Sequence, residues 1–167
     1  MTHHYPQRKS PRLQGYDYAQ AGAYFVTLCA HQRAHVFGDI CDGVMVLNES
    51  GRIAEAHWVA IPDHHPGVEL DGFVVMPNHM HGIIVIMDRE ADNAGVVPTE
   101  VSIPSLGVVV GSYKSGVTRR IRQMYPDLIL WQRRYHDHII RNEADLHRIR
   151  EYVVANPARW YDDTFYT

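Results

Sequence analysis

Two apolar runs of strand length, Val68 to Met76 and Gly82 to Met87, stand on either side of Pro77-Asn78, and no other feature restricts the fold as much. Runs this short, broken by a proline and a turn-forming asparagine, predict a β-hairpin. The second run carries His79, Met80 and His81 at its start. Around the hairpin, Tyr24 to Ala30 is rich in β-branched and aromatic residues and predicts a strand. Gly43 to Leu47 is a second strand or a loop lining. Asn48 then caps a stretch in which Ile53, Ala56, Ala60 and Ile61 recur at helical spacing up to Pro62. From Ser105, Leu106, Val110, Tyr113, Val117, Ile121 and Met124 fall on one helical face, with Lys114, Arg119 and Arg122 off it. Trp131 to Arg141 predicts another strand, and Asn142 starts a last helix that runs to Ala155 and stops at Pro157. The order β, α, β, β, α, β, α implies an α+β fold: a ferredoxin-like antiparallel sheet with helices on one face plus a C-terminal helix.

A chain of 167 residues, 46% hydrophobic, suffices for one core, so a single domain over 1–167 is expected. Within it, 1–20 is a polar, Pro-punctuated N-terminal arm, and 88–104, acidic and aperiodic, is a mobile loop. Cys29 and Cys41 are too few for a disulfide framework and form no Cys-x-x-Cys pair, which fits a reducing compartment. The first residues lack an apolar signal region and no run approaches membrane-span length, so a soluble, cytoplasmic protein with no membrane partner is expected.

The formal net charge of −3 argues against a nucleic-acid partner until its distribution is considered. Residues 39–101 hold eleven acids against two arginines, whereas residues 111–150 hold nine basic residues against four acids. A chain polarised in this way can present a positive face to phosphate, although a solvated basic helix gives the same counts.

On a strand, His79 and His81 project from one face and Met80 from the other, so two imidazoles converge as a divalent ion requires; a pair of half-exposed strand histidines has the same spacing. In the last helix Arg148, Tyr152 and Asn156 form an i, i+4, i+8 row beside an apolar stripe of Leu146, Ile149 and Val153. A phenol and an amide can therefore reach one site, while a tyrosine bordering such a stripe can equally be a core ring with a wet hydroxyl.

Taken together, these pieces resemble a known family. The run Phe73-Val-Val-Met-Pro-Asn-His-Met-His-Gly-Ile-Ile-Val85 resembles the His-hydrophobic-His (HUH) signature of single-tyrosine DNA transposases. The runs Trp131-Gln-Arg-Arg-Tyr-His-Asp-His-Ile-Ile-Arg-Asn-Glu143 and Glu151-Tyr-Val-Val-Ala-Asn-Pro157 look like the C-terminal part of the REP-associated tyrosine transposases. The opening Arg12-Leu-Gln-Gly-Tyr-Asp-Tyr18, leading into Tyr24-Phe-Val-Thr27, does so as well.

The resemblance implies that His79 and His81 ligate a metal, Mg2+ or Mn2+, that Asn156 completes the site and that Tyr152 is the nucleophile. It implies an enzyme that nicks and rejoins single-stranded hairpin DNA through a 5′-phosphotyrosine. Lys114, Arg119, Arg120, Arg133, Arg134 and Tyr135 are candidate DNA contacts, and Trp131 is a candidate base platform or a core ring. Monomer and homodimer are both compatible with the motifs. The alternatives are a non-catalytic binder of structured DNA, as a domesticated transposase would be, and a hydrolase using the same histidines with a water nucleophile.

Overall fold

The computed structural model of the chain describes residues 20–87 and 103–167. The expected N-terminal arm and acidic loop lie outside the described residues, apart from residue 20 and residues 103–104 at their ends.

The main sheet has four strands: β1 (Gly22–Cys29), β4 (Val68–Val75), β5 (His79–Ile86) and β6 (His136–Ile140). Their spatial order is β4-β5-β1-β6, and every neighbouring pair is antiparallel. β4 and β5 are the hairpin around Pro77-Asn78, and β1 lies between β5 and β6, so the strand nearest the N-terminus becomes central. This is the expected α+β, ferredoxin-like arrangement.

Alternation along the strands divides the side chains between two layers. Tyr24, Val26 and Leu28 of β1 and Met80, Ile84 and Ile86 of β5 enter the main core, covered by α1 (Glu49–Val59) and α3 (Leu106–Ile121). Each helix begins where a polar side chain satisfies an otherwise orphan N–H: Asn48 accepts from Gly51 and Ser105 from Val108. The stripe read from the sequence is the buried face of α3 from Leu106 to Ile121, with Met124 beyond the helix end and half-buried, and the Tyr113 hydroxyl at its centre donates to the Ala54 carbonyl with Met80 Sδ at 2.9 Å. On the opposite face α4 (Glu143–Ala155), capped by Asn142, covers a smaller cluster of Ile83, Ile149 and Val153.

Of the two readings of Gly43 to Leu47 the strand is the one found: β3 (Val44–Leu47) pairs with β2 (Gly38–Cys41), and Asp42 and Gly43 take the positive φ values, 50° and 74°, that a two-residue hairpin turn requires. Two local expectations change. Pro62 starts a short helix, α2 (Ile61–His64), directly after α1, because proline at a first helical turn forfeits no hydrogen bond. The strand expected over Trp131 to Arg141 is regular only over His136–Ile140, with Trp131 making a single bridge to Ala30. Among the described residues no helix is long and apolar enough to cross a membrane.

Candidate active site

The register of the two central strands builds the site. β1 and β5 pair so that Cys29 faces His79 and Thr27 faces His81. The pleat sends both imidazoles to the α4 side of the sheet and Met80 into the main core. The rings are buried, with centroids 4.6 Å apart and Nε2 atoms 3.1 Å apart. Each Nδ1 has a partner: Thr27 Oγ1 lies 2.7 Å from that of His81 and Asn78 Oδ1 lies 2.7 Å from that of His79. Such contacts fix ring orientation and direct the Nε2 atoms at a common point. Burial holds both imidazoles neutral at ordinary pH. His79 is lowered to about 4, although the carboxylate of Asp163 opposes the shift, and His81 is lowered well below its usual value by burial and by His79. Two lone pairs 3.1 Å apart cannot bond each other unless a proton or a cation lies between them.

α4 carries the phenol. Ile149 and Val153 seat the helix on Ile83, and Arg150 grips Asp71 at the irregularity in β4, with Nε at 2.9 Å from Oδ1. Tyr152, one helical position from that stripe, is 40% exposed and brings its hydroxyl to 3.3 Å from His81 Nε2. Phe25 lies between the elements, stacked on His81 at 5.2 Å and edge-on to Tyr152 at 6.0 Å. The phenol pKa is raised by partial burial and by the Asp163 charge, while the Asn156 amide pulls it down.

A carboxylate that the motif reading did not include completes the cluster. Pro157–Asp162 forms a 3-10 turn after α4 and delivers Asp163, whose side chain is 2% exposed and whose Oδ2 lies 3.9 Å from His79 Nε2. Ligand atoms of His79, His81 and Asp163 all lie within 4.8 Å of one another, so this cluster can hold a metal ion. Asn156 and Asp163 line one small cavity with Tyr152 and Arg159. In that cavity Asn156 Oδ1 and Asp163 Oδ2 are buried without hydrogen-bond partners among the described residues. A buried acceptor without a partner has a desolvation cost with no return, and Asp163 Oδ2 bears that cost beside His79 at 3.9 Å. Asp163 carries no motif; only its position after the Asn156-Pro157 turn marks it.

The candidate DNA contacts divide. Arg119 and Arg120 are exposed on α3, on the sheet face away from the histidines, and Arg133 and Arg134 are exposed before β6. Lys114, half-buried, donates to the Gln132 carbonyl at 2.6 Å, and Tyr135 is buried in the main core at 8% exposure. Trp131 takes its core role, packed against Phe37 and Tyr113. A groove of about 1070 Å³ opens instead over the histidine face, lined by Phe25, His81, His138, Arg148, Tyr152 and Arg159 among others. His138 and Arg148 share Asp145 as partner there.

No family model matches the chain. Among solved structures, a REP-associated tyrosine transposase bound to a REP hairpin superposes with a TM-score of 0.57 at 19% identity, covering 89% of this chain and 74% of that one. A Haemophilus influenzae protein described as "Putative REP-associated tyrosine transposase" is 22% identical over 153 residues, 86% of this chain and 74% of its own length. The fold is thus transposase-like, in agreement with the likeness read from the motifs. Within that class the chain belongs to one family with an uncharacterized protein of Haemophilus influenzae, to which it is 36% identical over 167 residues, 95% of this chain and 93% of the other.

Proposed function

We propose that this protein is a metal-dependent enzyme that nicks and transfers strands of single-stranded, hairpin-forming DNA, with Tyr152 as nucleophile. One observation carries the proposal: a hydroxyl from α4 lies 3.3 Å from a buried, neutral His81, which itself faces His79 across 3.1 Å, all within one chain. The binding of a REP hairpin by the structurally similar transposase supports DNA hairpins as the substrate class.

His79, His81 and Asn156 hold the ion in this reading, with Asp163 beside them. A divalent cation there, magnesium or manganese, would supply Lewis-acid stabilisation of the charge that develops on the phosphate. Tyr152 attacks phosphorus as its phenol loses a proton to solvent; the new P–O bond to tyrosine forms as the bond to the 3′-oxygen breaks, and that oxygen takes up one proton from solvent, leaving a 3′-hydroxyl and a 5′-phosphotyrosine. Because the phosphoester is conserved in the covalent intermediate, a 3′-hydroxyl from another strand can reverse the step, so one site both cuts and joins. The groove over the histidine face accommodates an unpaired backbone, with Phe25 presenting an aromatic ring and Arg148 and Arg159 offering charge. The whole chain, 1–167, acts as one cytoplasmic HUH-type domain, and the N-terminal arm reads sequence flanking the hairpin.

The test is a denaturing gel of end-labelled hairpin DNA incubated with protein and Mn2+. Wild-type protein forms a covalent protein–DNA adduct that disappears with chelator and with Tyr152→Phe. Hairpin affinity without any adduct would instead identify a binding module. Cleavage to a free 5′-phosphate that survives Tyr152→Phe would identify a water-dependent hydrolase.

A further inference from the structure

Asn78 is fully buried at the β4–β5 turn, and both ends of its amide are used. Oδ1 can only accept, so its 2.7 Å contact places the proton of His79 on Nδ1 and leaves the Nε2 lone pair toward His81 and Asp163. The Nδ2 end donates to the Phe165 carbonyl at 2.8 Å and to Thr167 Oγ1 at 3.3 Å. A carbonyl can only accept, so the two ends of the amide are assigned consistently.

The segment that Asn78 holds is also the one that brings the carboxylate. Asp163 Oδ1 accepts from the Phe165 N–H at 2.7 Å, which leaves Oδ2 buried and unpartnered beside His79. The Phe165 ring packs on His79 with centroids 4.7 Å apart, and Arg33 donates to the Thr164 carbonyl while its guanidinium lies over the Phe165 ring. One amide therefore ties a candidate ligand of β5 to the last residues of the chain, and the tie directs an anionic oxygen at the histidine pair.

The geometry points to Asn78 as a positioning residue for the proposed cation site, to which Asp163 adds a carboxylate ligand beside His79, His81 and Asn156, delivered by a C-terminal segment hooked onto the Asn78 amide. The inference rests on reading His79 and His81 as ligands. It adds a hard, charged oxygen to two imidazoles, which suits manganese or magnesium better than two imidazoles and a neutral amide alone. It also offsets the desolvation of a carboxylate buried against neutral rings.

The experiment titrates Mn2+ into the full chain without DNA, following free Mn2+ by electron paramagnetic resonance and binding heat by calorimetry. Asp163→Asn keeps the shape and removes the charge; it is expected to weaken Mn2+ binding about 10-fold or more. Asn78→Ala is expected to weaken it at least as much. The double variant should lose less than the sum of the two, because the part of the Asn78 effect that passes through Asp163 is already gone in Asp163→Asn, which a merely structural role for Asn78 would not produce. Circular dichroism establishes that each variant is folded, and Asp163→Asn alone decides the matter if Asn78→Ala is not. Unchanged Mn2+ affinity in Asp163→Asn, with binding abolished by His79→Ala, overturns this inference and leaves the histidine site standing. Mn2+ affinity indifferent to His79→Ala overturns the underlying reading itself.

Discussion

At the scale of residues, the site is made of groups kept away from the states they favour in water. His79 and His81 are neutral because burial disfavours their charged forms, and the unfolded chain gains protons on both below a pH of about 6.5. Stability is therefore fully present above that pH and is lost as the pH falls toward about 4, where His79 protonates in the folded state. His79 contributes on the order of 1 kcal/mol per pH unit in that window, and His81, lowered as well, adds loss of the same sign. Thermal unfolding of the metal-free protein should show the melting temperature dropping between those limits, and a His79→Asn, His81→Asn variant should show a much smaller drop. Tyr152 is displaced in the other sense, its phenol held above the usual range by burial and by Asp163. The phenolate is thus the minor form at neutral pH, and the rate of adduct formation should rise with pH across about 7 to about 9. A rate that is flat over that range would mean that deprotonation of Tyr152 does not limit the reaction.

At the scale of elements, the site depends on how β5 and α4 are held. Gly82 follows His81, and a Cβ there would lie 2.2 Å from the Trp58 ring. Gly82→Ala should therefore push the strand off α1, at a cost of about 1–3 kcal/mol in denaturant unfolding, and weaken Mn2+ binding through the displaced His81. α4 rests on a small cluster, so Ile149→Ala should cost about 2–4 kcal/mol and raise hydrogen exchange along α4 more than in the main core. Much of this was legible beforehand. The caps Asn48 and Asn142, the α3 stripe from Leu106 to Ile121 and the hairpin at Pro77-Asn78 all occur where local chemistry predicts them, because caps and periodicity act over a few residues. The β2–β3 hairpin was only half read, since Gly38 to Cys41 has no alternation strong enough to mark a strand without its partner.

At the scale of the whole molecule, Tyr152, His79 and His81 meet within a single chain, so the proposed site needs no second copy. The initial rate of adduct formation should then be strictly proportional to protein concentration, whereas a site shared between two subunits would give a steeper dependence at dilution. The polarised charge also resolves in three dimensions. The arginines of α3 lie across the sheet from the histidines, and the groove over the site draws on Arg148, Arg159 and His138 instead. Substituting Arg148 and Arg159 together should lower hairpin affinity and flatten its salt dependence more than substituting Arg119 and Arg120.

The sequence by itself determined the order of elements, the side of the strand on which His79 and His81 emerge and the helix row that holds Tyr152 and Asn156, because each depends on periodicity within one segment. The tertiary structure alone decided that His81 and Tyr152, from β5 and α4, come to one point, that Lys114 turns to the Gln132 carbonyl while Tyr135 packs in the core, and that Asp163 joins the histidines. Those outcomes depend on strand order, on register and on a turn after α4 that folds back over the sheet. Contacts spanning more than 80 residues, such as Asn78 to Phe165, leave no periodic trace in either segment that makes them.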